Sequence, residues 1–155
     1  MQPIRFSCEA TLPGSPGEIV EQILDLSNWT DFQGFGILPG IEKAEFDVKT
    51  PEIVGSRIRV TNKDGSSHVE EICEWEPQRT VRLHMSEFSP PLSRLATGFD
   101  EVWQFEAVGE ETNAIRSFEM HAKSALTWPL LWLISPLLKA AITRHLRQMR
   151  ENVPA

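Results

Sequence analysis

Residues 99–121 read FDEVWQFEAVGEETNAIRSFEMH, two alternating runs on either side of a Gly-Glu-Glu-Thr turn. Alternation puts side chains of like parity on one face of a strand, and so short a turn makes the runs partners in an antiparallel hairpin. Pairing Gly109 with Thr112 sets Trp103 opposite Phe118 and Glu101 opposite Met120. One face then carries Trp103, Phe105, Phe118 and Met120, and the other carries Asp100, Gln104, Glu106, Glu119 and His121. A slip of one residue would throw Phe118 and Met120 to the side away from Trp103, so apolar agreement selects this register. A strand pair with one oily face needs something apolar to cover it.

Upstream, the same period runs back to about Glu42. Ile58 and Val60 precede a Lys63-Asp64-Gly65-Ser66 turn. Val69, Glu71, Cys73 and Trp75 then alternate with His68, Glu70 and Glu74, and after Glu76-Pro77-Gln78 come Val81, Leu83 and Met85. This predicts about five strands in succession, an antiparallel meander, in addition to a first strand from Ile4 to Leu12. Its inner surface is expected to hold Ile58, Val60, Val69, Leu83, Met85 and Phe99, interrupted by two acids, Glu71 and Glu101. Between the first strand and the meander, Ser15-Pro16 with Glu18 reads as a capped helix start, followed by Ile19, Val20, Ile23 and Leu24 at helical spacing. Ser27-Asn28 predicts a second short turn carrying Trp29 and Phe32, and Gly34, Gly36 and Gly40 a loop.

Downstream, Ser124 to Leu138 is a run of 15 residues without charge, holding Pro129 and Pro136. A membrane-spanning helix wants ~20, so the run reads as buried or lid-forming, with peripheral membrane contact as its second reading. Ser135-Pro136 is expected to cap the closing helix. Leu138, Ile142, Leu146, Met149 and Val153 fall within about 80° of arc at the α-helical turn per residue, with His145 on the flank. That is an amphipathic helix laid on something apolar. Trp128, Leu131 and Trp132 are expected to close one end of the space beneath it.

The net charge of −7 excludes binding along a nucleic-acid backbone. Lys139, Arg144, Arg147 and Arg150 gather in the last 17 residues against Glu151 alone, which suits the negative end of a helix dipole. Cys8 and Cys73 stand far apart with no CxxC pattern, so a disulfide framework is not expected and a cytoplasmic setting is. The first residues show no basic stretch followed by an apolar run, so no signal peptide is expected.

Three stretches carry a family likeness. Ser15-Pro16-Gly17-Glu18-Ile19-Val20 through Leu26-Ser27-Asn28-Trp29 resembles the opening of the START-like (SRPBCC) superfamily, whose members include polyketide cyclases, lipid-transfer domains and the birch pollen allergen. Trp103 to Thr112 resembles that family's late hairpin, although Ala107 stands where it often has Pro and Glu111 where it often has Gly. Leu137 to Val153 is similar to its closing helix. The resemblance implies an α+β helix-grip fold over residues 1–155 as one domain: a curved antiparallel sheet of about six to seven strands wrapped around a long C-terminal helix, with two short helices after strand 1. It also implies a cavity between sheet and helix that takes a small hydrophobic molecule (a lipid, isoprenoid or polyketide-like ring system).

The expected ligand-binding surface combines Leu83, Met85 and Phe99 with Trp103, Phe105, Phe118 and Met120 from the sheet. Leu138 and Ile142 join from the helix, Trp128 and Trp132 from its approach, and Glu101 and His145 orient a polar end. Two acid–imidazole pairs, His68 with Glu70 and Glu119 with His121, have the spacing for general acid–base work. The expected register leaves both on the outer face, so neither is assigned to catalysis. No HExxH or cysteine-rich spacing, no nucleophile elbow and no phosphate-binding glycine loop occurs, so no metal and no cofactor are expected. Binding or carriage is therefore the first functional expectation. A cyclase or dehydratase is the second, and a protein- or membrane-interaction module the third.

Overall fold

A computed structural model describes residues 1–151. Strand β1 (Ile4–Pro13) is followed by α1 (Pro16–Leu24) and a 3-10 turn (Leu26–Asp31), then by β2 (Ile41–Val48), β3 (Arg57–Asn62), β4 (Ser67–Glu76) and β5 (Thr80–Ser86). Strands β6 (Ala96–Val108) and β7 (Glu111–Ala122) precede the long helix α2 (Trp128–Glu151). The seven strands form one antiparallel sheet in the order β1-β7-β6-β5-β4-β3-β2, a meander whose last strand returns to pair with the first. With α2 packed on its inner face, this is the helix-grip architecture.

Local chemistry starts α1 as expected: Pro16 occupies the first turn and Ser15 Oγ accepts the Glu18 N–H at 3.3 Å. Asp25, rather than Ser27 or Asn28, caps the next turn, accepting the Ser27 N–H at 3.1 Å. Trp29 is anchored there by its indole N–H, which donates to the Ile23 carbonyl at 2.8 Å.

Three further local expectations are corrected. In the β6–β7 hairpin the turn is Gly109-Glu110, with Val108 opposite Glu111 and Gly109 at φ +63°, the first central position where a two-residue hairpin turn favours glycine. Trp103 therefore faces Arg116, and Glu101 faces Phe118. The register differs from the expected one by two residues, an even number, so every side chain keeps its face.

In β4 the phase is reversed. Trp75 pairs Val81 and packs against the core, but a bulge lies between Ile72 and Glu74. The extra residue moves the upstream parity to the other side, so His68, Glu70 and Ile72 face inward and Glu71 faces outward. Val69, expected on the inner surface, is buried on the outer parity.

The third correction concerns α2, which starts at Trp128 and not at Ser135. Pro129 lies in its first turn, while Ser124 and Thr127 exchange hydrogen bonds just ahead of it. Pro136 is interior and has no N–H for the Trp132 carbonyl. Ser135 Oγ takes that place, donating to the same oxygen at 2.7 Å. Leu138, Ile142, Leu146 and Met149 all turn to the core, whereas Val153 lies outside the described residues. Cys8 Sγ meets the helix at Thr143 Oγ1, 3.4 Å away.

Candidate functional site

Cross-strand pairing lays the inner face out in rows. Phe6, Phe118, Glu101, Leu83 and Ile72 form one row, and Cys8, Arg116, Trp103, Val81 and Trp75 the next. A third runs from Met120 through Phe99 and Met85 to Glu70. Above these rows and beneath α2 lies a cavity of about 550 Å³. Leu83, Met85, Phe99, Phe118 and Met120 line it from the sheet, and Leu138 and Ile142 from the helix. Glu101, Trp103 and His145 also reach it.

Three residues expected at this surface stand elsewhere. Phe105 is buried one step further along β6, stacked on Trp103 with ring centroids 5.9 Å apart. Trp128 packs against a second apolar cluster around Ile4 and Ala96, and its indole N–H donates to the Gln2 carbonyl at 3.0 Å. Trp132 is 53% exposed. It follows the fully buried Leu131 by one residue, which at ~100° of helical turn carries it off the core face.

The polar part of the cavity is richer than expected. Arg116, on the same parity of β7 as Phe118 and Met120, points inward and is 8% exposed. Its Nε donates to Glu101 Oε1 at 2.8 Å, and Trp103 Nε1 donates to the same oxygen at 2.6 Å. The guanidinium carbon lies 4.5 Å from the Trp103 ring centroid and 5.6 Å from that of Phe118, a geometry favourable for cation–π attraction. Arg116 Nη1 reaches His145 Nδ1 at 3.0 Å. Since arginine only donates, His145 Nδ1 is the acceptor and the ring proton sits on Nε2.

Burial decides the protonation of this group. It drives the His145 pKa from 6.5 down to about 3, with the Arg116 charge adding to the effect. For Glu101 burial raises the pKa; Arg116 opposes the rise and the nearby Glu70 charge adds to it, leaving the carboxyl above its ordinary value. Glu70, 5% exposed, has its own partner: His68 Nε2 lies 2.9 Å from its Oε2. His68 with Glu70, expected outside, is therefore part of the cavity wall.

Glu71, the other acid expected inside, pairs on the outer face with Arg57 at 3.1 Å. Glu119 and His121 do lie outward, bonded to Arg5 and Asp100. Asp100, Glu119 and His121 place ligand-type atoms within 4.8 Å of one another there, but Arg5, His84 and His121 already satisfy the carboxylates.

Residues 3–154 match the family described as polyketide cyclase / dehydrase and lipid transport. A search of curated proteins finds no matching sequence. Among solved structures, the Zhui aromatase/cyclase from a Streptomyces species superposes with a TM-score of 0.74 at 13% identity, over 99% of this chain and 97% of that one. A START superfamily protein from Mycobacterium smegmatis gives 0.73 at 10% identity, over 97% and 99%. A major latex-like protein from Panax ginseng gives 0.65 at 15%, over 99% and 100%. At these identities the likeness is one of fold.

Proposed function

The chain belongs to the polyketide cyclase / dehydrase and lipid transport family, and from that premise we propose that it binds and carries a small hydrophobic molecule in the cavity between sheet and α2. The observation that carries this reading is the pairing of an apolar wall with a buried polar cluster. Phe99, Phe118, Met120, Leu138 and Ile142 supply contact area, worth ~25 cal/mol per Å² before the costs of association. Glu101, Arg116 and His145 fix the orientation of one polar end. Cys8 and Cys73 are both free thiols, which fits a reducing, cytoplasmic setting. No helix of the described residues is long and apolar enough to cross a membrane.

Native mass spectrometry of gently purified protein, followed by organic extraction, tests the proposal. A discrete added mass is expected, and Leu138→Trp, which fills the cavity from the helix side, should abolish it. A bare protein mass, with no thermal stabilisation by a panel of lipids and aromatic polyketides, would sink the reading.

A second reading, cyclase or dehydratase chemistry, is favoured by one feature: a carboxyl of raised proton affinity on the cavity wall, linked through Arg116 to a neutral imidazole. The same extract discriminates it. Conversion of an added poly-β-ketone to a ring product during incubation identifies an enzyme, and recovery of the unaltered molecule identifies a carrier.

A further inference from the structure

The cavity's charges are lopsided. Asp31, Asp64, Glu70 and Glu101 all line it, and Arg116 is the only Lys or Arg that does so among the described residues. Asp31 and Asp64 are exposed and belong to its rim, whereas Glu70, Glu101 and Arg116 are buried in its wall. The single cation is already engaged. Its Nε donates to Glu101 at 2.8 Å and its Nη1 to His145 at 3.0 Å, Trp103 and Phe118 flank the guanidinium, and Nη2 makes no hydrogen bond among the described residues. Acceptors are left over as well, and the wall and rim together hold four acids against this one cation. Glu101 receives both of its hydrogen bonds on Oε1 and none on Oε2 among the described residues. Glu70 is offset only by His68, at 2.9 Å.

A buried polar wall favours the ligand group that completes its hydrogen bonds and penalises one that leaves them unmade. A like charge brought against carboxylates in a low-dielectric space is repelled far more strongly than in water. Resting on the ligand-binding reading above, we propose that the cavity selects a ligand whose polar end donates hydrogen bonds without negative charge, a hydroxyl or an ammonium. It discriminates against anionic head groups such as carboxylate and phosphate. Glu70 and Glu101 are the specificity-determining residues, and Asp31 and Asp64 extend the same sign of field to the entrance.

The test is calorimetric titration at fixed ionic strength with three probes of identical alkyl chain: dodecanol, dodecylamine and dodecanoate. Dodecanol and dodecylamine are expected to bind, with dodecanoate at least about tenfold weaker, a difference of about 1.4 kcal/mol. Glu70→Gln should narrow the gap. Glu101→Gln, which leaves the Arg116 charge without its counterion, should shift preference towards dodecanoate. Should Glu101→Gln not fold, the wild-type ranking and Glu70→Gln still decide. Equal binding of the three probes, or tighter binding of dodecanoate, overturns the head-group inference and leaves the cavity reading intact. Binding of none of them overturns both.

Discussion

The two faces of the sheet carry the same kinds of ionisable residue and put them to opposite uses. On the outer face Asp100 sits between His84 and His121, at 2.7 and 2.8 Å. Partial burial pushes its carboxyl up, but those two hydrogen bonds outweigh it and hold the pKa below the ordinary value. On the inner face burial wins, pushing Glu101 up and His145 down. Outside, a carboxylate keeps its charge because partners and water stabilise it. Inside, Glu101 and His145 are each pushed towards the neutral form, and Arg116 ties the two together. Spacing alone does not separate these cases, since His68 with Glu70 and Glu119 with His121 share one spacing and lie on opposite faces.

The largest expected effect comes from unbalancing the inner set. Arg116→Met removes the counterion of a fully buried carboxyl, and breaking a buried pair from one side costs about 3–5 kcal/mol. Replacing both members, Arg116→Met with Glu101→Leu, should recover a large part of that loss, because no uncompensated charge remains. Arg57→Met, which breaks the half-exposed pair with Glu71, should cost less than about 1 kcal/mol. Urea denaturation of the unsubstituted protein and these three variants measures all of this. Equal losses for Arg116→Met and Arg57→Met would erase the distinction between the faces.

The second effect is a pH dependence with a defined sign. His145 has a folded pKa of about 3 against an unfolded value of 6.5. Its stabilising contribution is therefore complete above pH 6.5 and is lost as pH falls towards 3. The limiting slope for one such group is about 1.4 kcal/mol per pH unit. Glu101 has the opposite sign: its raised value contributes stability at low pH that disappears as pH rises through it. Asp100, lowered, loses its contribution only below its ordinary value of 3.8. Between pH 6.5 and 4.5 His145 and Glu101 therefore act in opposite senses, and the part lost as pH falls is that of His145. His145→Gln keeps an acceptor for Arg116 without titrating, so it should flatten the acid limb of thermal stability over that window. An unchanged limb would show that His145 is not held neutral.

How much of this was legible in the sequence follows the periodicity. The hairpin of β6 and β7 revealed its oily face because Trp103, Phe118 and Met120 agree in parity, and a register error of two residues left that assignment untouched. Arg116 was equally legible by parity. Glu101 stands in the sequence as a charge breaking the apolar stripe, and Arg116, two residues before Phe118, breaks the stripe of the partner strand in the same way. Strand β4 was not legible, because Trp75 sets the phase and the bulge before Glu74 reverses it without any glycine or proline to mark the spot. The helix starts at Trp128 and not at Ser135 for a different reason. Ser135-Pro136 is a sound cap signal, but Ser135 Oγ serves the carbonyl that Pro136 deprives, so the helix runs through it.

The reversed phase of β4 leaves the smallest and sharpest prediction. Glu70 and Glu71 are adjacent, chemically identical acids that the bulge sends to opposite faces. Glu71 is 40% exposed at its side chain and pairs with Arg57, whereas Glu70 is 7% exposed and pairs with His68. A surface substitution away from special features moves stability by no more than about 0.5 kcal/mol. Glu71→Gln should therefore stay within that limit and leave probe binding unchanged, while Glu70→Gln alters the ranking of the alkyl probes. Both variants preserve shape and differ only in which side of the sheet loses a charge, so their contrast isolates the face. If Glu71→Gln changed the ranking instead, β4 would run in the phase its alternation suggests, with no bulge to turn it, and the acid of the cavity wall would be Glu71.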